Sequence, residues 1–363
     1  MYLKIITCLN YMTIKHLVLC GGGPVGFVIY GALKQLHQKK MWRLQDIESI
    51  YACSVGSLFG IIIALDFEWS WIDDFFIKRP WNKLFDINNI NYLTIFNEKG
   101  LLDETYWEKV MYPIFMAKQI NINITLAEFY DLTKIDIYYF ATRVNNIDKV
   151  SINYQSHPNM KVITALYITA CVPFLFKPCF IENECYIDGG ILNNVPINDC
   201  LFNNNCDKNE ILNFIYLARI LDNNEKYDIN TSYCSLNDSS NDISNNCNIV
   251  NDSSNILINN DICKDTNFFT LIIFFFRKLL SRFIELNSIN NIEVENTINV
   301  CLTDSTCDIN FWFQILNNKD NIKNVIDFGI YKANLFLEAK EAKEANKEAK
   351  EAKYYDASSI IIE

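Results

Sequence analysis

The chain has 363 residues, half of them hydrophobic, with 32 basic and 43 acidic side chains and a formal net charge of −11. A sizeable core is therefore available, while the acidic balance argues against nucleic acid as a partner, because phosphate binding needs a clustered basic surface. It also argues against broad electrostatic attraction to anionic membranes.

Thirteen cysteines, an odd number with no Cys-x-x-Cys pair, accompany only three histidines, His16, His37 and His157. No zinc-finger pattern can be assembled from them. They read as small buried thiols of a reducing, cytoplasmic compartment.

Residues 1–14 form a mildly apolar N-terminal extension without a long hydrophobic region or a small-residue cleavage site, a poor signal peptide. A compact α/β unit is expected over 15–220. His16 to Cys20 is a short apolar run that stops at three glycines, as a buried strand does at a tight turn. Phe27 to Leu36 has helical spacing. Ile47 to Cys53 predicts a second strand and Val55 to Leu65 a second helix. This alternation predicts parallel strands with helices on the faces of the sheet. Residues 67–130 are aromatic-rich and predict helices with loops. Ile135 to Arg143 and Lys149 to Tyr154 predict strands. Met160 to Cys171 predicts a helix that ends before Pro173, and Cys179 to Ile187 a strand that ends at Asp188-Gly189-Gly190. Glu210 to Ile220 supplies one more strand.

Residues 221–266 are dominated by Asn, Asp and Ser and read as a low-complexity surface insertion. Residues 267–337 complete the domain, with helices at 267–286 and 325–337 and a strand at 297–303. The tail, 338–363, repeats Glu-Ala-Lys and predicts a solvated helix held by Glu–Lys pairs. Neither apolar run of the chain qualifies as a membrane span. Ile50 to Leu65 carries Ser54, Gly56 and Ser57, and Phe268 to Phe276 is about half the ~20 residues required.

Three segments carry the chemistry. Ser54 lies between a predicted strand and a predicted helix, with Ala52, Cys53, Val55 and Gly56 around it. A nucleophile elbow needs small residues two positions to either side of the serine, and the following helix aims its N-terminal N–H groups at any anion forming there. A serine that merely caps a helix is the competing explanation. The loop Gly21-Gly22-Gly23-Pro24-Val25-Gly26 fits a dinucleotide turn, an oxyanion hole or a plain tight turn. The dinucleotide reading wants an acidic residue at the end of the second strand, and Ser54 stands there instead. A serine also needs a base. No histidine follows Asp188, so the order Ser, acid, His of the α/β-hydrolases cannot be built. An aspartate acting directly is the economical choice, and Asp188 is delivered by a strand, with Gly189 and Gly190 permitting close backbone approach.

Together these segments resemble the patatin-like phospholipase family, which has a glycine-rich oxyanion loop, a Gly-x-Ser-x-Gly elbow and an Asp-Gly-Gly/Ala segment in this order. The likeness covers about residues 15–220, including the helix that leads to the Pro173 turn, and Asn194 and Pro196 after the aspartate. The resemblance implies a mostly parallel sheet flanked by helices in a three-layer arrangement. It implies Ser54 as nucleophile and Asp188 as base, with Gly21, Gly22, Gly23 and Gly26 forming the oxyanion loop. It also implies phospholipid or other acyl-lipid substrates, transient contact with a membrane surface, a cytoplasmic or peripheral location, and no metal or organic cofactor. Val25 stands where the family often has Arg or Lys, and Ala52 replaces the elbow glycine. An inactive lipid-binding relative of the same fold is the alternative. For lipid contact the sequence offers Phe67 to Trp81 and Phe268 to Phe283, the latter with a core helix as its competing explanation.

Overall fold

In a computed structural model of the protein, residues 13–84, 97–216, 292–301 and 309–359 are described, together with Leu271, Ile272, Phe275, Phe276, Lys278 and Leu279. Every residue of β1 (His16–Leu19) and β2 (Ser49–Cys53) is buried. Such continuous apolar runs mark strands covered on both faces, and these two sit in the middle of an eight-stranded sheet.

The sheet has the order β10 (Thr297–Asn299), β9 (Ile211–Ile215), β1, β2, β4 (Asp136–Arg143), β8 (Glu184–Asp188), β7 (Cys179–Ile181), with β5 (Asp148–Ile152) also paired to β4. From β10 to β4 all pairings are parallel. β4 is the point of change: β5 and β8 run antiparallel to it, and β7 runs antiparallel to β8. The sheet is central and mixed, with helices packed around it. A separate pair of short parallel strands, β3 (Gly100–Leu102) and β6 (Phe174–Phe176), lies outside it.

Helices α1 (Gly26–Gln38) and α2 (Val55–Ala64) follow β1 and β2 directly. The aromatic-rich stretch becomes α3 (Trp69–Lys78), α4 (Glu104–Ala117) and α5 (Leu126–Thr133). The last is closed by a capping box between Thr125 and Glu128. α6 (Val162–Thr169) precedes the Pro173 turn. α7 (Gly190–Asn193) and α8 (Ile197–Asn204) follow Asp188.

Three expectations are revised. The single strand expected over 179–187 is a hairpin, because the polar pair Glu182-Asn183 breaks it and Glu182 adopts a left-handed φ of 54°. The helix expected over 325–337 and the Glu-Ala-Lys tail are one helix, α10 (Lys319–Ser359), preceded by α9 (Ile309–Leu316). Its first half is apolar enough to pack. The tail is not wholly solvated either, since Lys340 donates to Asn296 Oδ1 at 2.6 Å. The strand expected over 210–220 covers Ile211–Ile215, and that over 297–303 covers Thr297–Asn299. The N-terminal extension up to residue 12, the low-complexity insertion and most of the helix expected at 267–286 lie outside the described residues.

α10 lies against α1 at glycine-to-backbone distance. A Cβ on Gly31 would stand 2.0 Å from the Ile326 carbonyl oxygen, and one on Gly329 would stand 2.1 Å from that of Val28. The last helix thereby covers the first. No described helix is long and apolar enough to cross a membrane.

Candidate active site

Ser54 occupies the turn between β2 and α2 with φ 51° and ψ −128°. An L-residue holds such a backbone only where its surroundings enforce it. The enforcing contacts are visible. Ser54 N–H donates to Thr169 Oγ1 at 2.9 Å, and Thr169 Oγ1 in turn donates to the Phe140 carbonyl. At Gly56 a Cβ would lie 2.5 Å from the Leu19 carbonyl oxygen, so the helix behind the serine can pass β1 only without a side chain there. The Ala52 methyl is buried opposite Gly60, 4.0 Å from where a Cβ on that residue would sit. Cys53, beside the serine, is fully buried. Burial first, and the nearby Asp188 second, push its thiol well above the ordinary range, so it is a packing residue.

The glycine loop closes over Ser54. Gly22 and Gly23 have φ of 153° and 56°, both in the range that favours glycine. Gly21 packs where a Cβ would be 2.9 Å from Ser54 Cβ. Its N–H donates to Asn194 Oδ1 at 3.1 Å, and Asn194 Nδ2 reaches back to the Gly21 carbonyl at 3.5 Å. Gly26 N–H donates to the Gly23 and Pro24 carbonyls. Two of the four glycines expected to form the oxyanion loop, Gly21 and Gly26, thus have their N–H groups already hydrogen-bonded within the protein. Gly26 instead makes room for Phe59, whose ring lies 2.2 Å from a Cβ built there. Val25 is buried beneath the loop, its Cβ 3.3 Å from a Cβ built on Gly22. An apolar side chain suits that position.

Asp188 ends β8 opposite Ala141 of β4. Gly189 crosses directly over β4, where a Cβ would lie 2.1 Å from the Phe140 carbonyl oxygen. Asp188 Oδ1 accepts from Gly190 N–H at 2.7 Å. Burial pushes its carboxyl up to about 6, against the opposing hydrogen bonds from the Ser54 hydroxyl and the Gly190 N–H. Oδ2 is buried without a well-formed hydrogen bond.

Two residues that the sequence reading did not assign hold the parts together. Thr169 fixes Ser54 N–H through its hydroxyl and accepts Gly189 N–H at 3.2 Å through its carbonyl, while the Cys171 carbonyl accepts Asp188 N–H at 3.0 Å. Asn194 ties the glycine loop to the segment after Asp188. Nothing in the sequence pattern singles out Thr169. Asn194 stood in the recognised motif without a role.

The histidines are elsewhere. His16 Nδ1 meets Ser49 Oγ at 2.8 Å at the start of β1, His37 accepts from Trp69 Nε1 at 3.1 Å, and His157 pairs with Ser156 at 2.8 Å. His16 is level with Ser49 across β1 and β2, five residues short of Ser54, or ~16 Å along a strand.

A cavity of about 640 Å³, its mouth included, opens beside Ser54 and Gly23. Its wall is aromatic, including Phe27, Phe59, Phe76, Trp81, Trp107 and Phe176. Phe176 and Trp107 stack at 5.8 Å with 12° between planes. Phe76 and Trp81, in the stretch expected to offer lipid contact, are buried in this wall. Trp312 of α9 closes the loop side, its ring 2.5 Å from a Cβ built on Gly23.

A central sheet with a serine elbow, a facing glycine loop and a buried carboxyl at one end defines a patatin-like α/β protein. The chain belongs to the patatin-like phospholipase family, whose description matches residues 17–201. It is 27% identical over 185 residues to a probable lipid hydrolase of Invertebrate iridescent virus 6, covering 50% of this chain and 62% of that one. It is 26% identical over 195 residues to an uncharacterized protein of Acanthamoeba polyphaga mimivirus, covering 54% and 63%. The chain thus spans less than two-thirds of the length of these curated relatives. Among solved structures it is similar to VipD from Legionella pneumophila (14% identity, TM-score 0.42, covering 57% of this chain and 51% of that one). It is also similar to ExoU from Pseudomonas aeruginosa (16% identity, TM-score 0.29, 43% and 38%).

Proposed function

We propose that the protein hydrolyses fatty-acyl esters of phospholipids or related glycerolipids, with Ser54 as nucleophile and Asp188 as base. The observation that carries this reading is the buried Asp188 carboxyl beside the Ser54 hydroxyl, with its pKa raised to about 6. At neutral pH it is ionised, yet basic enough to take a proton. Ser54 Oγ attacks the ester carbonyl as its proton passes to Asp188. The oxyanion that forms is held by the N–H groups of Gly22 and Gly23, each worth ~3–4 kcal/mol in acyl transfer. The carbon–oxygen bond to the alcohol then breaks, and the leaving oxygen takes the proton from Asp188. Water, deprotonated by Asp188, attacks the acyl-enzyme and releases the fatty acid, restoring the serine. The apolar cavity receives the acyl chain.

The substrate reaches this cavity from a lipid surface. Leu271, Phe275, Phe276 and Leu279 are exposed, and Phe276 packs edge-on to Phe174 at 5.9 Å, next to the cavity wall. These residues make the transient membrane contact of a cytoplasmic or peripheral enzyme.

Turnover of a fluorescent phospholipid and a short-chain chromogenic ester by wild type, Ser54→Ala and Asp188→Asn tests the assignment, with folding followed by circular dichroism. Loss of turnover in both folded variants supports the dyad. An inactive wild type whose Ser54 resists a fluorophosphonate label would favour the lipid-binding alternative.

A further inference from the structure

At the opposite end of the sheet from Ser54, side chains remote in sequence converge. His16 opens β1, and Glu210 immediately precedes β9, which pairs with β1 from His16↔Ile211 onward. Cys206 lies in the connection from α8 to β9. The ligating atoms of His16, Cys206 and Glu210 all lie within 4.8 Å of one another. The Cys200 thiol of α8 lies beside that of Cys206, and neither cysteine is in a disulfide. We propose that His16, Cys206 and Glu210 form a three-ligand binding site for a zinc-like divalent cation that clips the connection between α8 and β9 to the central strands.

The donor set argues for the ion. One imidazole nitrogen, one sulfur and one carboxylate oxygen, with water in the fourth position, suit a four-coordinate, borderline-soft metal. Ligands at 2.0–2.3 Å around a tetrahedral centre stand roughly 3.3–3.8 Å apart, so the three clustered ligands need close by only about an ångström. The groups behind the ligands are also in place. His16 Nδ1 is held by Ser49 Oγ at 2.8 Å, which fixes the ring and leaves Nε2 for the metal, the usual arrangement behind a ligating histidine. Glu210 is held by Lys15 Nζ at 2.7 Å and by Asp207 N–H at 3.1 Å. A carboxylate has about four lone-pair directions, so these partners orient it without exhausting it. The charges of the Cys206 thiolate and the Glu210 carboxylate are matched by a divalent ion. No spacing rule finds such a site, because His16 joins it from a different strand.

The test is metal analysis of the purified full chain, followed by titration of the metal-free protein with Co²⁺ in reducing buffer. About one zinc per chain is expected, with a thiolate-to-cobalt charge-transfer band on reconstitution. Cys206→Ser should abolish stoichiometric binding, and Ser49→Ala should weaken cobalt affinity by about 10-fold or more. Chelation should lower the melting temperature of wild type and leave that of Cys206→Ser unchanged. Metal-free protein that gives no thiolate–cobalt band overturns the proposal, as does a Cys200–Cys206 disulfide that forms in wild type with no metal uptake after reduction. These readouts do not involve ester turnover, so they stand or fall separately from the proposed hydrolase activity.

Discussion

Thr169 is the residue on which the serine turn, β4 and the aspartate segment all converge. Replacing it with valine keeps the shape but removes both hydroxyl bonds, leaving Ser54 N–H buried and unpaired, at a cost of about 1–3 kcal/mol. The expected kinetic result is a fall in kcat of about 10- to 100-fold with little change in KM, because the serine is repositioned while the lipid cavity is untouched. An unchanged kcat in folded protein would remove Thr169 from the positioning role. Asp188 makes a second prediction at this scale. If it acts as the base as proposed, its carboxyl must be ionised, so kcat/KM should rise with pH through a limb near 6 and then level. The stability effect has the opposite sign. The folded state holds this proton more tightly than the unfolded chain, whose ordinary value is 3.8. Asp188 therefore costs stability as pH climbs from about 4 to 6, by roughly 3 kcal/mol at neutral pH. Asp188→Asn should be inactive yet melt at or above the wild-type temperature at pH 7, with the difference shrinking towards pH 4. Thermal melts across that range check the sign. The sequence displayed Ser54 and Asp188 because glycines mark sharp turns around them. It did not display Thr169, whose role arises from where a helix happens to end, nor that Gly21 and Gly26 have their N–H groups already bonded.

At the scale of elements, the buried strands and the helices that follow them were readable, since an apolar run meeting glycines is a local signal. β1, α1, β2 and α2 all lie where that signal places them. The β7–β8 hairpin was hidden because one left-handed residue, Glu182, divides a run whose composition is otherwise that of one strand. The union of α9, α10 and α1 was hidden because packing partners are not adjacent in sequence. The α1–α10 contact gives a third prediction. Gly31→Ala or Gly329→Ala places a methyl against a carbonyl oxygen, and overpacking of this kind costs about 1–3 kcal/mol. The melting temperature should fall by several degrees in either variant. If it does not move, α10 is not held at this distance in solution.

For the whole molecule, the proposed lipid contact is apolar rather than electrostatic, in keeping with the net charge of −11. Phe275→Asp with Phe276→Asp should reduce co-sedimentation with phosphatidylcholine vesicles several-fold while hydrolysis of a soluble short-chain ester is kept. Equal loss of both activities would mean that these residues support the fold instead. The mixed sheet, with its parallel half carrying Ser54 and its antiparallel half delivering Asp188, was only partly legible. The turning point lies in β4, which pairs on both edges and whose sequence gives no sign of direction.

Trp312 against Gly23, and Gly329 against α1, have a consequence for how the protein is made. The glycine loop and first helix leave the ribosome well before the side chains that cover them are synthesised. Until α10 has been made, α1 presents an uncovered apolar face, which is the kind of surface that chaperones hold and that partial chains aggregate through. A nascent chain that already contains Ser54 and Asp188 still lacks the Trp312 wall of its cavity, so the pocket is complete only once α9 has been made and has docked.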